Sequence, residues 1–371
     1  MSKSPYVERL QLQIAQASDP ALRASRRAEL AACQARSGAF EAAEQEIARL
    51  RAEYGDGRSG RVSILIMCAE AQLIYYRELG EQARDRMVRA QLLSIAGRDA
   101  GLSALTSAWL AHISFNLYRP EEMLRAAKTC LDTLGPDDHE AAARLALTLG
   151  DAFHAAEEPA IGLRWYTKAH QHAVRLGDHS TIGACLYNRA AMGTFMSRVR
   201  AVTQTLDPDV VVRLHSEVRS AATYQALAQM NSLHNLLDYS LASVRILAER
   251  HAEALEPLRR LVQDGCHTSP IERSLVLSCD LALCLARSGR REEAAVLAGT
   301  IPVEQLADYA ADDRVVASAA LADAARACRL DALREEAEAQ LAVALDDHRA
   351  TVDGQREGLA PFAAGAALAQ L

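Results

Sequence analysis

A small residue returns about every forty positions and keeps its register through most of the chain. Markers at Ala31, Ala71, Ala111, Gly150, Ala184, Ala242 and Ala282 are separated by 40, 40, 39, 34, 58 and 40 residues. A period of this length belongs to stacked supersecondary units, each burying its apolar face on the next, and not to one globular core. Turn residues support the register, because Gly38, Gly80, Pro120, Pro159 and Gly289 fall where each unit should reverse.

The unit is helical. Glycine and proline are sparse (19 and 10 of 371 residues), while alanine, leucine, arginine and glutamate abound, which is the composition of helices. The best strand candidates, VSILI (62–66) and DVVVRL (209–214), lie inside longer helix-compatible stretches. The segment TLGDAFHAAEEPAIGLRWYTKA (148–169) carries the pattern most clearly. Leu149 and Gly150 precede Phe153, and Gly162, Tyr166 and Ala169 follow. Small residues at a crossing let two helices approach, and the aromatic rings fill the space beside them. Segments 30–50, 69–90, 108–130, 241–261 and 281–298 repeat the arrangement, and 315–345 does so more weakly.

On these residues the segment resembles the tetratricopeptide repeat, a helix-turn-helix unit of about 34 residues. It departs from that pattern at Ala146, where an aromatic residue is usual, and at Val174, where a proline is. The resemblance implies an all-α, right-handed superhelical solenoid of about seven to eight hairpins over residues 20–347. Residues 1–19 would form an N-terminal segment or capping helix, and 348–371 a tail, cap or docking helix. SDPA (18–21) and GPDD (135–138) have the form of helix N-caps with early acids. The 58-residue step marks an irregular unit at about 192–228, with extended helices or an inserted element. Pro257 should remove one hydrogen bond from its helix and bend it.

In such a unit the first helix lines the concave groove. The helical period places the residue after each marker, and those three and four further on, on that face. This selects Gln72, Tyr75 and Tyr76; His112, Phe115 and Asn116; Asp151, His154 and Ala155; and Cys185, Asn188 and Arg189. Aromatic rings and amides of this kind can pack on a peptide and bond its backbone. They are therefore the expected ligand- or partner-binding strip, solvent-open at Tyr75, His112, Asn116, His154, Asn188 and Arg189. A tightly wound superhelix would bury them instead. Some proteins of the resembled family grip a terminal carboxylate with groove lysines, but the matching lysines are missing here.

Other clusters read as structure. Glu157 and Glu158 precede Pro159 and complement a positive helix end; being adjacent, they point apart and form no acid/base pair. Tyr166 holds a packing position, and Trp165 is expected half-buried between units. The histidines of HQH (170–172) point apart on a helix, and no zinc-ligand spacing is present. Cys266 and His267 are neighbours in a loop without the oriented base a nucleophile needs. The eight cysteines form no CxxC and read as small buried residues with reduced thiols. No phosphate-binding glycine loop occurs. No catalytic residue, metal or cofactor is therefore expected.

The net charge of -7, with no run of Lys and Arg, argues against direct nucleic-acid binding. Arg198, Arg200, Arg213 and Arg219 read as a solvated helix face. No signal-peptide core and no membrane-length apolar run is visible, so a cytoplasmic location is expected. The apolar end 359–371 is compatible with a homodimer. Long arrays of the resembled kind occur in bacterial signalling regulators. The expected function is a non-catalytic scaffold or adaptor that binds a protein or peptide in its concave groove. The alternative is a regulatory protein of bacterial signalling or transcription control that senses a small ligand or peptide, with the superhelix tightening around it.

Overall fold

The computed structural model describes residues 4–55, 60–78, 80–230, 234–263, 274–363 and 365–371. Among them there is no strand, and no helix is long and apolar enough to cross a membrane. A first helix, α1 (Pro5–Gln16), precedes eight helical hairpins. They are α2 (Pro20–Ser37) with α3 (Phe40–Tyr54), α4 (Gly60–Glu78) with α5 (Glu81–Ala96), α6 (Ala100–Asn116) with α7 (Pro120–Thr133), and α8 (His139–Ala155) with α9 (Pro159–Leu176). Next come α10 (His179–Ala201) with α11 (Pro208–Ala228), α12 (His234–Leu247) with α13 (His251–Gln263), α14 (Ser274–Arg287) with α15 (Arg291–Ala298), and α16 (Ala311–Cys328) with α17 (Asp331–Ala363). A 3-10 turn, Val303–Asp308, precedes α16, and a short α18 (Gly365–Ala369) follows α17.

Every marker residue lies buried on the first helix of its hairpin. Six of the hairpin turns share one geometry. Gly38, Tyr118, Glu157, Glu249, Gly289 and Arg329 all adopt positive φ, between 55° and 88°. At each, the amide bonds the carbonyl three residues back, and the next amide bonds the carbonyl five back, as in Glu157 to His154 and Glu158 to Phe153. This is the left-handed helix stop that favours glycine, here filled four times by another residue. Asp19 caps α2 by accepting from the amides of Ala21 and Leu22. Asp138 differs from its expected role, because its carboxylate binds the Gly135 amide instead of the helix it precedes.

The marker contacts explain the close packing of α8 and α9. A Cβ on Gly150 would lie 2.7 Å from the Tyr166 ring, and one on Gly162 would lie 2.9 Å from the Gly150 carbonyl oxygen. Trp165 is fully buried, not half-buried, because α9 is covered by both α8 and α10. The 58-residue step arises from long helices, 23 residues in α10 and 21 in α11. Pro257 is buried inside α13. Arg198 is not on a solvated face: it is buried and paired with Asp280 of α14 at 2.5 Å, beside Tyr239 of α12. Arg213 and Arg219 are exposed, as expected. Of the described cysteines all are buried except Cys328, which is partly so. Cys266 and His267 lie outside the described residues.

The array closes on itself twice. First helices α2, α4, α6, α8 and α10 pack in succession, and α10 then returns to α2. At the far end α17 runs past residue 348 without a break and packs against α7 and α8. Leu359, Phe362 and Leu368 join the core of the first four hairpins. The apolar end that suggested self-association is thus largely taken up inside the chain.

Candidate functional site

The circuit of α2, α4, α6, α8 and α10 surrounds the face that the sequence selects as a binding strip. Its inner wall is polar, and its side chains bond one another across the helices. Arg36 of α2 bonds Gln72 of α4 at 2.8 Å, Glu140 of α8 at 3.1 Å and Asp178, just before α10, at 3.0 Å. Asp178 also accepts from Thr181, and Tyr6 of α1 reaches Glu140. The start of α1 is pinned nearby, with the Tyr6 amide and the Ser4 hydroxyl both donating to the Gly177 carbonyl. Burial alone would raise the Asp178 carboxyl, but the Arg36 charge and the bonds from Thr181 and Arg36 outweigh it, so the group is held below its usual range.

A second cluster sits one hairpin deeper. The Tyr75 hydroxyl is 3.0 Å from Nε2 of His112, and Nδ1 of His112 is 3.2 Å from the Thr148 hydroxyl. Arg144 stacks over Trp109, its guanidinium carbon 3.9 Å from the ring centroid, and its Nη1 lies 3.4 Å from the same His112 Nε2. Burial, and then the Arg144 charge, push the His112 pKa well down, so this ring is neutral. A neutral ring whose Nε2 accepts from Tyr75 must carry its proton on Nδ1, facing Thr148.

The third cluster is centred on Asp151. Tyr166 donates to one of its oxygens at 2.5 Å and Asn188 to the other at 2.8 Å, so one carboxyl ties α8 to α9 and α10. Burial raises its pKa to about 7, against the lowering effect of these two bonds. His154 bonds the Gly150 carbonyl at 3.0 Å and has its pKa lowered, first by burial.

The structure therefore brings the strip together, but turned inward. Gln72, Tyr75, His112, Asp151 and His154 are buried, and Cys185 with them. The expected solvent-open face does not hold at Tyr75, His112 and His154, because α10 meets α2 and shuts the groove. Tyr76, Phe115, Asn116, Asn188 and Arg189 remain half-buried. Asn116 bonds the His112 carbonyl, and Arg189 pairs with Glu217 of α11.

Sequence reasoning missed Arg36, Trp109, Glu140, Arg144 and Asp178. Two of these, with Thr148 beside them, were within reach. Counting back along α8 from Asp151 by three and seven positions gives Thr148 and Arg144, and counting back three from His112 gives Trp109. A lone arginine in the apolar run AAARLALTLG (141–150) was the visible signal. Of the HQH pair, His172 is buried against His139 and the Leu371 carbonyl, whereas His170 is exposed. Glu157 and Glu158 sit at the turn before α9 and receive Arg356 and His348 from α17. No group of three or more candidate metal ligands exists among the described residues.

No family model and no curated protein matches this chain. Solved structures do. A signal transduction ATPase with numerous domains (STAND) protein with a tetratricopeptide repeat sensor, from Pyrococcus horikoshii, aligns over 95% of this chain and 54% of its own, with 15% identity and a TM-score of 0.52. The chain thus spans about half the length of that structure. A circular tandem repeat protein with novel repeat topology and enhanced subunit contact surfaces covers 95% of this chain and 87% of its own at 14% identity, with a TM-score of only 0.23. The first likeness, with the hairpins and their common turn, shows the fold: the chain is an all-helical repeat array.

Proposed function

We propose that this chain is a non-catalytic regulatory module that senses a ligand by opening and closing its own concave face. One observation carries the reading: Arg36 and Asp178, at opposite ends of the first four hairpins, meet in a buried ion pair that shuts the groove. A face lined with bonded polar groups has a defined closed state, and a ligand that prefers the open or re-formed state shifts the population. The likeness to a repeat array described as a sensor supports this direction.

The scaffold reading, in which the groove holds a protein or peptide, stays attached to the half-buried rim. Tyr76, Phe115, Asn116, Asn188 and Arg189 keep part of their surface in solvent and are what an incoming chain would meet first. Both readings need the closure between α2 and α10 to yield.

Hydrogen exchange on the whole protein tests this. Amides of α2 and α10 should open together, at lower free energy than those of α8. Exchange of α2 and α10 that is as slow as that of α8, and unchanged by Asp178→Asn, would show a permanently sealed structural core and refute the sensor.

A further inference from the structure

We propose that Arg144 is the anchor of a small oxyanion, a carboxylate or a phosphate, held between α4, α6 and α8 inside the closed face. The site rests on the sensor reading above, since the closed face must admit the ligand.

The carrying observation is an uncompensated buried cation. Arg144 is 2% exposed. No carboxylate of the described residues lies within ion-pair reach of its guanidinium, and its side-chain partners are the Trp109 ring and the neutral His112. The other buried arginines differ: Arg36 meets Asp178 and Glu140, and Arg198 meets Asp280. Buried guanidinium groups are expensive to desolvate without an anion, and stacking on an indole offsets only part of that cost. Arg144 has five N–H donors and one long bond at 3.4 Å, to a nitrogen that already accepts from Tyr75.

The surroundings are built of donors. The indole Nε1 of Trp109, the ring on which Arg144 lies, is buried and has no hydrogen-bond acceptor. His112 is fixed in one tautomer by Tyr75 and Thr148. The nearby acid, Asp151, gives its two oxygens to Tyr166 and Asn188, and burial raises its pKa, so it counters the guanidinium less than an ordinary carboxylate would. A positive charge with a planar fork and an unmatched indole N–H select an oxygen anion of low charge. A cationic ligand would meet like charge, and a wholly apolar one would leave these donors unmatched.

The test is calorimetric titration of the whole chain at neutral pH and low chloride, with sodium phosphate and sodium acetate as separate probes. Saturable binding of one of them is expected. Arg144→Met should weaken it by at least about a hundredfold, and Arg144→Lys, which keeps the charge but loses the fork, by about tenfold. If Arg144→Met does not fold, Arg144→Lys carries the test, together with Trp109→Phe, which should abolish the ligand-induced change in tryptophan emission. Which probe binds decides between a carboxylate and a phosphate source. No saturable binding of either at millimolar concentration, or binding indifferent to Arg144, overturns the site. Hydrogen exchange on the same samples separates the two ideas: Arg144-dependent binding without any change at α2 and α10 leaves the site standing and refutes the sensor.

Discussion

Arg36 and Asp178 are 142 residues apart in the chain and 3.0 Å apart in the fold, each with a side chain about 1% exposed. Asp178→Ala would leave the guanidinium buried with Glu140 as its remaining carboxylate. Breaking one partner of a buried pair costs about 3–5 kcal/mol, and Glu140 should hold the loss near the lower end. Urea denaturation of the single variants and of Arg36→Met with Asp178→Leu checks this. The double variant should recover most of the loss, since a well-packed apolar pair removes both buried charges.

The same pair sets an acid limit. A carboxyl held below its unfolded pKa contributes stability that is fully present above the unfolded value and is lost as pH falls through the folded value. For Asp178 that window lies below the ordinary aspartate range. Protection of the α2 and α10 amides should therefore persist down to about pH 4 and fail below it. Loss of that protection already near pH 6 would contradict the assignment.

Asp151 has the opposite sign. Its folded pKa, about 7, lies above the unfolded value, so ionisation favours the unfolded chain as pH rises from about 4 to 7. Its contribution is complete at the acid end of that window and is lost by its top. Asp151→Asn should flatten the pH dependence of stability across this range, with a gain at pH 7 of at most roughly 4 kcal/mol less the cost of any broken bond to Tyr166 or Asn188. Thermal melts at pH 4.5 and 7.5, compared between the two proteins, measure it; equal slopes would show that Asp151 is ionised in the fold.

The turns offer a stabilising change. Glu249 and Arg329 are exposed and sit at φ 57° and 61°, where Gly38 and Gly289 hold the equivalent positions. Glu249→Gly and Arg329→Gly should each raise stability by about 0.5–1 kcal/mol, since relief of left-handed strain exceeds the added chain entropy. In contrast, Gly162→Ala should lose about 1–3 kcal/mol, because its methyl would press on the Gly150 carbonyl and the His154 ring. Calorimetric midpoints of the three variants are the check.

The hairpins were legible in the sequence because their signals are local: marker residues, turn glycines and N-terminal prolines act within a few positions. The choice of face on α4, α6 and α8 was legible for the same reason, as Gln72, His112 and Asp151 do look inward together. Whether that face meets water was not. It is decided by Arg36 finding Asp178 and by α17 returning to α7 and α8, pairings whose sequence separations no helical period encodes. Arg198 was misplaced for a related reason, since its partner Asp280 stands 82 residues on.

The return of α17 has a consequence for synthesis. Gly358 packs on Leu124, Arg356 bonds the Ala156 carbonyl, and His172 meets the Leu371 carbonyl, so hairpins made early are completed by residues made about two hundred positions later. At about 5–20 residues per second, Asp178 follows Arg36 from the ribosome by roughly 7–30 s, and α17 comes later still. Through that interval the nascent chain carries an unclosed ring of arginines, tyrosines and indole, and a binding partner present during translation would meet the inner surface before the protein can hide it.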